Sequence, residues 1–284
     1  MRTKTRTRSV RPIIAKTVIY AIMVLLCIST VFPFYWTFMT SLMENEQIYK
    51  TPIDFFPPVS VLSFQNYAEA FSRGNLLVYL KNSILVTGLN ILLSLLTASM
   101  VAYAVTKIRF RGSKALYRIF LSSMMVPGFV TLVPTYLVID RLGMMETLWS
   151  LIVPGALSVY GIFFLRSFLV GINDETGESA KIDGAGEYRI FFQIYLPQIR
   201  VGLIILAVTT FQASWNNYLG PQLYIKQNTD LLPLGAALKN ITVAVGDMGV
   251  SMALSLLFAL PVFVTFCFVQ KYFLTGFAVA GIKG

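Results

Sequence analysis

Residues 171–200 read GINDETGESAKIDGAGEYRIFFQIYLPQIR, and the arrangement of the rest follows from this stretch. It carries Asp174, Glu175, Glu178, Asp183 and Glu187 between two apolar runs, 147–169 and 199–219. Asn173 suits a helix N-cap, with Asp174 and Glu175 favourable in the first turn. Asp183-Gly184 breaks that helix, because glycine accepts backbone angles that other residues resist. A second helix follows to about Tyr195, with Tyr188, Phe191 and Tyr195 at helical spacing as one apolar stripe. Leu196-Pro197 closes it ahead of the next apolar run. Two short amphipathic helices lying on a membrane face are expected.

Outward from this segment the chain is dominated by lipid-soluble sequence. Of its 284 residues 56% are hydrophobic and 13% charged, with a mean hydropathy of +0.70. A soluble domain averages about 45–50% apolar and about 25% charged, so disorder and a soluble globule are both excluded. A hydrocarbon core of about 30 Å needs roughly 20 apolar residues per helix. Six stretches qualify, at 17–40, 82–105, 116–139, 147–169, 199–219 and 249–270. Pro33, Gly88, Pro127, Gly128, Pro134, Pro154, Gly155 and Pro261 interrupt them, which membranes tolerate where neighbouring groups re-satisfy the backbone. The expected fold is an all-α integral membrane protein with six transmembrane helices.

Basic residues set the orientation. The start of the chain holds Arg2, Lys4, Arg6, Arg8, Arg11 and Lys16, and residues 106–118 hold Lys107, Arg109, Arg111, Lys114 and Arg118. Arg166, Lys181, Arg189, Arg200, Lys271 and Lys283 fall on the same side, against Lys50, Arg73, Lys81, Arg141, Lys226 and Lys239 on the other. The positive-inside rule then puts both termini in the cytoplasm, as an even span number requires. The first stretch is too long for a signal peptide and lacks a cleavage site, so it reads as a retained helix. Its Val31-Phe32-Pro33-Phe34-Tyr35-Trp36 marks the outer interface. The division expected is a basic cytoplasmic tail (1–16), a first helix with an outer segment (17–81), a bundle (82–270) and a cytoplasmic tail (271–284). Clustering of the +10 net charge beside apolar runs, with no recognisable binding fold, argues against nucleic acid as a partner.

Several chemistries drop out. None of the six stretches contains Asp, Glu or His, which disfavours an ion-gradient-driven carrier that moves protons. The chain has no histidine, so histidine catalysis and the usual zinc sites are excluded; no catalytic residue and no metal site is expected. Cys27 and Cys267 sit in apolar runs and staple nothing. A P-loop is missing, since Ile282 follows Gly276 through Gly281 where lysine is required. The chain moves something without hydrolysing ATP itself.

Glu178-Ser179-Ala180, Gly184, Ile194 and Leu196-Pro197 resemble the "EAA" signature of permease subunits in ATP-binding-cassette importers, with every spacing kept and Ser179 the one substitution among the anchors. Pro127-Gly128, Pro134, Trp215-Asn216 and the terminal Gln270-Lys271-Tyr272-Phe273, Gly276, Gly281 and Lys283-Gly284 are similar to the second permease of maltose-type carbohydrate importers. The resemblance implies a type I ABC importer transmembrane domain in a bacterial or archaeal cytoplasmic membrane. It implies that 171–197 is the coupling segment, with Glu178, Ser179, Ala180, Asp183, Gly184, Ala185, Leu196 and Pro197 facing an ATPase. The partners implied are a homologous second permease, two ATP-binding-cassette ATPase subunits that bind ATP and Mg, an extracytoplasmic solute-binding protein and membrane lipid. No cofactor of its own is expected. The substrate implied is a sugar or oligosaccharide, the alternative being another solute such as a glycerol phosphate.

The candidate pathway lies on the fifth stretch. Thr209, Gln212 and Asn216 share one helical stripe, and Thr210, Ser214 and Asn217 the next. Gln212, Trp215, Asn216 and Asn217 offer hydrogen bonds and a flat apolar face to a neutral polyol, or else hold helices together. Along the second stretch, Ser83, Thr87, Asn90, Ser94 and Thr97 read as packing contacts.

Overall fold

The computed structural model describes residues 11–73, 75–108 and 110–281; Arg2, Lys4, Arg6, Arg8, Arg109, Ile282, Lys283 and Gly284 lie outside the described residues. In chain order the main helices are α1 (Arg11–Ser41), α2 (Leu76–Lys107), α3 (Ser113–Ser123), α4 (Gly128–Arg141) and α5 (Val159–Val170), followed by α6 (Glu175–Ile182), α7 (Glu187–Gln198), α8 (Arg200–Trp215), α9 (Leu234–Val245) and α10 (Met248–Gly281). No strand occurs among the described residues. Two compact units form, residues 1–70 with 245–256 and residues 71–244 with 257–284.

Apolar helices long enough to cross a bilayer are Lys16–Ser41 within α1, α2, and Met248–Lys271 within α10. The remaining three stretches are broken, two of them at proline. Within 116–139, α3 and α4 meet at 104° across Met124–Pro127. Proline has no N–H to donate and excludes the residue before it from helical angles. The 147–169 stretch splits at Pro154-Gly155 into a short turn, Trp149–Ile152, and the 12-residue α5. In 199–219, α8 stops at Trp215, and a separate helix, Leu219–Tyr224, begins after Asn217 Oδ1 accepts the Gly220 N–H. The second helix starts earlier than its hydropathy suggests, at Leu76, because Lys81 and Asn82 interrupt an apolar run that is already helical.

In the smaller unit, α1 leaves its apolar side chains from Val18 to Phe32 exposed, as a lipid-facing helix does. Its end is tied down by Asn66, whose Nδ2 donates to Ser41 O (3.0 Å) and Met43 O (2.8 Å). Gly249 permits this approach, since a Cβ there would sit 2.4 Å from Asn66 Nδ2 and 2.6 Å from Met43 O. Asn45 Nδ2 donates to Asp247 Oδ2, and its Oδ1 accepts the Met248 N–H that starts α10.

The larger unit is built around α2. Small residues let helices close on it: a Cβ on Gly161 of α5 would fall 3.0 Å from Ala98 and 2.9 Å from Leu206 of α8. Ala98, Ala102, Ile162, Leu165, Leu169 and Leu206 fill this core. Its polar residues bridge to other segments, as the sequence suggests. Asn82 donates to Asp230 O and Leu232 O, Ser83 accepts the Leu234 N–H, Thr87 accepts from Ser214, and Thr97 donates to Ala156 O. Ser94 makes no such bond.

One loop junction in this unit depends on a carboxylate. Glu146, at φ 56, accepts backbone N–H groups from Lys226 (2.7 Å), Gln227 (3.1 Å) and Asn228 (3.1 Å). Those N–H groups, Lys226 first and Asn228 next, hold its pKa below the usual glutamate value. A lowered folded pKa stabilises the fold above the unfolded pKa and ceases to do so as pH falls through the folded one. Glu146→Gln is therefore expected to lower the thermal midpoint at neutral pH. The gap from wild type should close as pH drops below the ordinary glutamate range, in a melting series across pH.

Candidate functional site

The 171–200 segment forms a helix–break–helix platform whose motif residues take defined structural parts. Asn173 Oδ1 accepts the Glu175 N–H at 3.2 Å and starts α6. At the other end Gly184 adopts φ +80, Gly184 N–H donates to Lys181 O (3.0 Å) and Ala185 N–H to Ala180 O (2.9 Å). This bond pair is a Schellman cap, with glycine at the left-handed position and an apolar contact between the residues flanking it. Ala180 and Ala185 both pack on the core as that contact requires. Ser179 back-bonds to Glu175 O, and Glu178, Ser179 and Asp183 lie on the exposed side.

The second helix departs from the sequence expectation. Residues Phe191–Tyr195 are π-helical, with the wider i→i+5 turn. The extra residue rotates the buried face: Ile190, Phe191 and Tyr195 are buried, whereas Tyr188 is 72% exposed and leaves the expected stripe. Leu196-Pro197 does not close α7, which runs to Gln198; the chain then turns by 80° into α8. Ile182, beside the break, is 87% exposed. Two large apolar side chains thus stand free on the platform, flanking Asp183 and Gly184.

Residues from α2 lock the platform in place, and sequence reading missed them. Tyr103 Oη donates to Glu187 Oε2 at 2.7 Å, and the other oxygen of Glu187 lies 2.5 Å from Lys181 Nζ. One turn along α2, the nearly buried Lys107 Nζ donates to Ile172 O and pairs with Asp174, above the Tyr195 ring at 5.4 Å. Tyr195 meets Tyr103 at 5.3 Å between centroids, and Gly177 is packed on its hydroxyl. These groups line a cleft of about 340 Å³. Their partners lie 65 to 84 residues apart in sequence, so no local pattern announces them. Removing one hydroxyl of this set by Tyr103→Phe should cost about 1 kcal/mol, read as a lower melting midpoint with uptake only partly reduced.

A second, uncharged cavity of about 580 Å³ opens on α4 and α8. Thr209, Thr210, Ser214 and Asn217 of the candidate pathway line it, facing Thr131 and Thr135. Gln212 and Asn216 are exposed on a neighbouring face of the chain and do not reach it. Trp215 is a correction. It is 3% exposed, stacks on Phe211 (5.5 Å) and Phe258 (6.0 Å) and donates its indole N–H to Phe258 O. Its apolar bulk takes it into the core, on the opposite side of α8 from the cavity.

Apolar helices broken at proline, around an uncharged cavity and beside an exposed helical platform, make this a multi-span membrane protein of the transport class. The chain belongs to the family of binding-protein-dependent transport system inner membrane components, which it matches over residues 90–276. It is 29% identical over 256 residues to the arabinooligosaccharides transport system permease protein AraQ of Halalkalibacterium halodurans, across 89% of this chain and 91% of that protein. The diacetylchitobiose uptake system permease protein NgcG of Streptomyces coelicolor is 31% identical, across 89% and 84%. In fold the chain is similar, at a TM-score of 0.84 and 21% identity, to a chain of a bacterial ABC transporter involved in the import of the acidic polysaccharide alginate, with 95% and 100% covered.

Proposed function

We propose that this protein is the membrane-spanning permease subunit of an ATP-driven importer that carries a sugar or oligosaccharide delivered by a solute-binding protein. The carrying observation is the Schellman cap at Gly184, which makes the spaced signature residues one rigid joint with Ile182 and Tyr188 exposed beside it. Relatives named for arabinooligosaccharide and diacetylchitobiose uptake support the substrate class.

In this reading the chain crosses the cytoplasmic membrane six times. The broken stretches 113–141, 147–170 and 199–219 each count as one span, and both termini are inside. A homologous permease pairs with it, and two separate ATPase subunits bind ATP and Mg and dock on α6 and α7. Closure of the ATPases pushes the platform. The joints at Tyr103–Glu187 and Lys107–Asp174 pass that push to α2, and the bundle rocks about its packed core, a rigid-body transition between two arrangements. The binding protein loads the outward-opened cavity, and hydrolysis resets the inward state.

Co-purification from native membranes tests this. An ATPase, a second permease and a saccharide-loaded binding protein should come down with the chain. A chain that purifies alone and moves solute down an ion gradient would overturn it.

A further inference from the structure

Every residue of α1 from Lys16 to Phe34 is exposed. A neighbouring helix shields one stripe of such a surface, so a helix bare on every side meets lipid over most of it. At about 1.5 Å per residue, Phe32 to Trp36 lie about 24–30 Å along the axis from Lys16. The hydrocarbon core is about 30 Å thick, so with Lys16 at one interface these aromatic residues fall at the other. The loop that follows α1 comes back to this level. Phe55 packs on Phe32 (6.1 Å between ring centroids) and Trp36 (5.4 Å), which share one face of the helix, and Phe56 packs on Tyr35 (5.9 Å). Tyr35 Oη donates to Phe55 O at 2.9 Å, and Asp54 Oδ1 accepts the Phe56 N–H at 3.1 Å.

The loop is thus fixed to the helix through Phe55, while its next apolar side chains project from it: Phe56 is 81% and Val59 84% exposed. Its backbone has the opposite need. Residues 51–58 donate no hydrogen bond to another backbone group, and Pro57-Pro58 have no N–H to offer. Such a backbone needs water and is not tolerated against the hydrocarbon core, whereas exposed phenylalanine favours leaving water. The headgroup layer, where aromatic residues gather, satisfies both. Charge adds a further point. Lys50 and Asp54 are the charged residues between Tyr49 and Phe64, one of each sign, so the surface asks for no anionic partner. It is also continuous with the bare helix, which distinguishes it from an isolated apolar patch rimmed by polar groups.

We infer that the loop Phe55–Val59 is a membrane-interface anchor, with its backbone among phospholipid headgroups and the Phe56 and Val59 side chains in the first part of the acyl chains. In the importer reading this is the outer leaflet, and the loop fixes the outer end of α1 whichever solute is carried.

The test uses the assembled complex in phosphatidylcholine vesicles, with Cys27 and Cys267 replaced by Ala and one new thiol, from Phe56→Cys or Val59→Cys, carrying an environment-sensitive fluorophore. Glu46→Cys, exposed in the same unit, supplies the aqueous reference. At both loop positions the emission should be shifted to the blue of that reference. Most of it should be lost to lipid bearing a nitroxide high on the acyl chain, and little to iodide in the water. A saturating amount of solute-binding protein should leave the signal unchanged. Quenching by iodide as strong as at the reference would put the loop in water and overturn the anchor. So would a signal that responds to the binding protein, which would make the loop a docking surface, or shielding from both quenchers, which would place it beneath the second permease. Quenching reads depth and not cargo or coupling, so any of these failures leaves the importer reading to its own co-purification test.

Discussion

Gly177→Ala should abolish sugar uptake, although alanine is the better helix former. Within α6 the exchange favours the helix by about 1 kcal/mol. Against this, the new methyl would stand 2.4 Å from Tyr195 Oη and 3.1 Å from two of its ring carbons. The ring has nowhere to go: Tyr195 is buried, packed against Tyr103 on one side and beneath Lys107 on the other. Overpacking of this kind costs about 1–3 kcal/mol, and here it falls on the joint that ties the platform to α2. The expected result is a complex that assembles and hydrolyses ATP without response to the loaded binding protein. Tyr195→Phe removes the nearest atom, so Gly177→Ala should be better tolerated in that background. A double-mutant cycle on melting midpoints and uptake reads this coupling directly. Strict additivity would show that the contact does not govern the joint.

Gly184 should discriminate between side chains by backbone angle alone. Nothing lies within 4 Å of a Cβ built there, so volume is irrelevant, but its φ of +80 is unfavourable to L-residues by about 1–2 kcal/mol. A β-branched residue suffers most, and asparagine least. Gly184→Val also strains the two cap bonds from Gly184 and Ala185, each worth about 0.5–1.5 kcal/mol. Uptake should therefore fall steeply for Gly184→Val and only slightly for Gly184→Asn, at equal expression. Equal loss in both variants would locate the effect in surface contact and not in the cap.

Much of this was legible because it is local. Asn173 and Gly184 bound α6 through bonds to residues two to five positions away, and such bonds leave a signature in sequence. Apolar run length located the bundle but not its breaks: Pro127 and Pro154-Gly155 lie where stretches break, whereas Pro33, Pro134 and Pro261 sit within unbroken helices, and proline alone does not separate the two cases. Periodicity failed where the period changed. The π-helical turn at Phe191–Tyr195 moves Tyr188 out and Ile190 in, and no composition cue marks one extra residue per turn. The pathway reading failed in part for a related reason. Polarity and aromaticity alone cannot separate Asn217, which lines the cavity, from Trp215, whose indole N–H is satisfied within the core. Tyr103, Lys107 and Glu187 were invisible because their meaning arises only when α2 and the platform pack together.

The central claim is that the platform beside Gly184 is where an ATPase acts on this chain. Its most direct test places a single thiol at Ile182→Cys, on the exposed tip, in the membrane-embedded complex freed of native cysteines, and adds a short thiol-reactive photo-crosslinker. The account predicts a cross-link to the ATPase subunit whose yield changes between nucleotide-free and ATP-bound states. A complex that imports sugar while Ile182→Cys never cross-links to an ATPase in either state would contradict it.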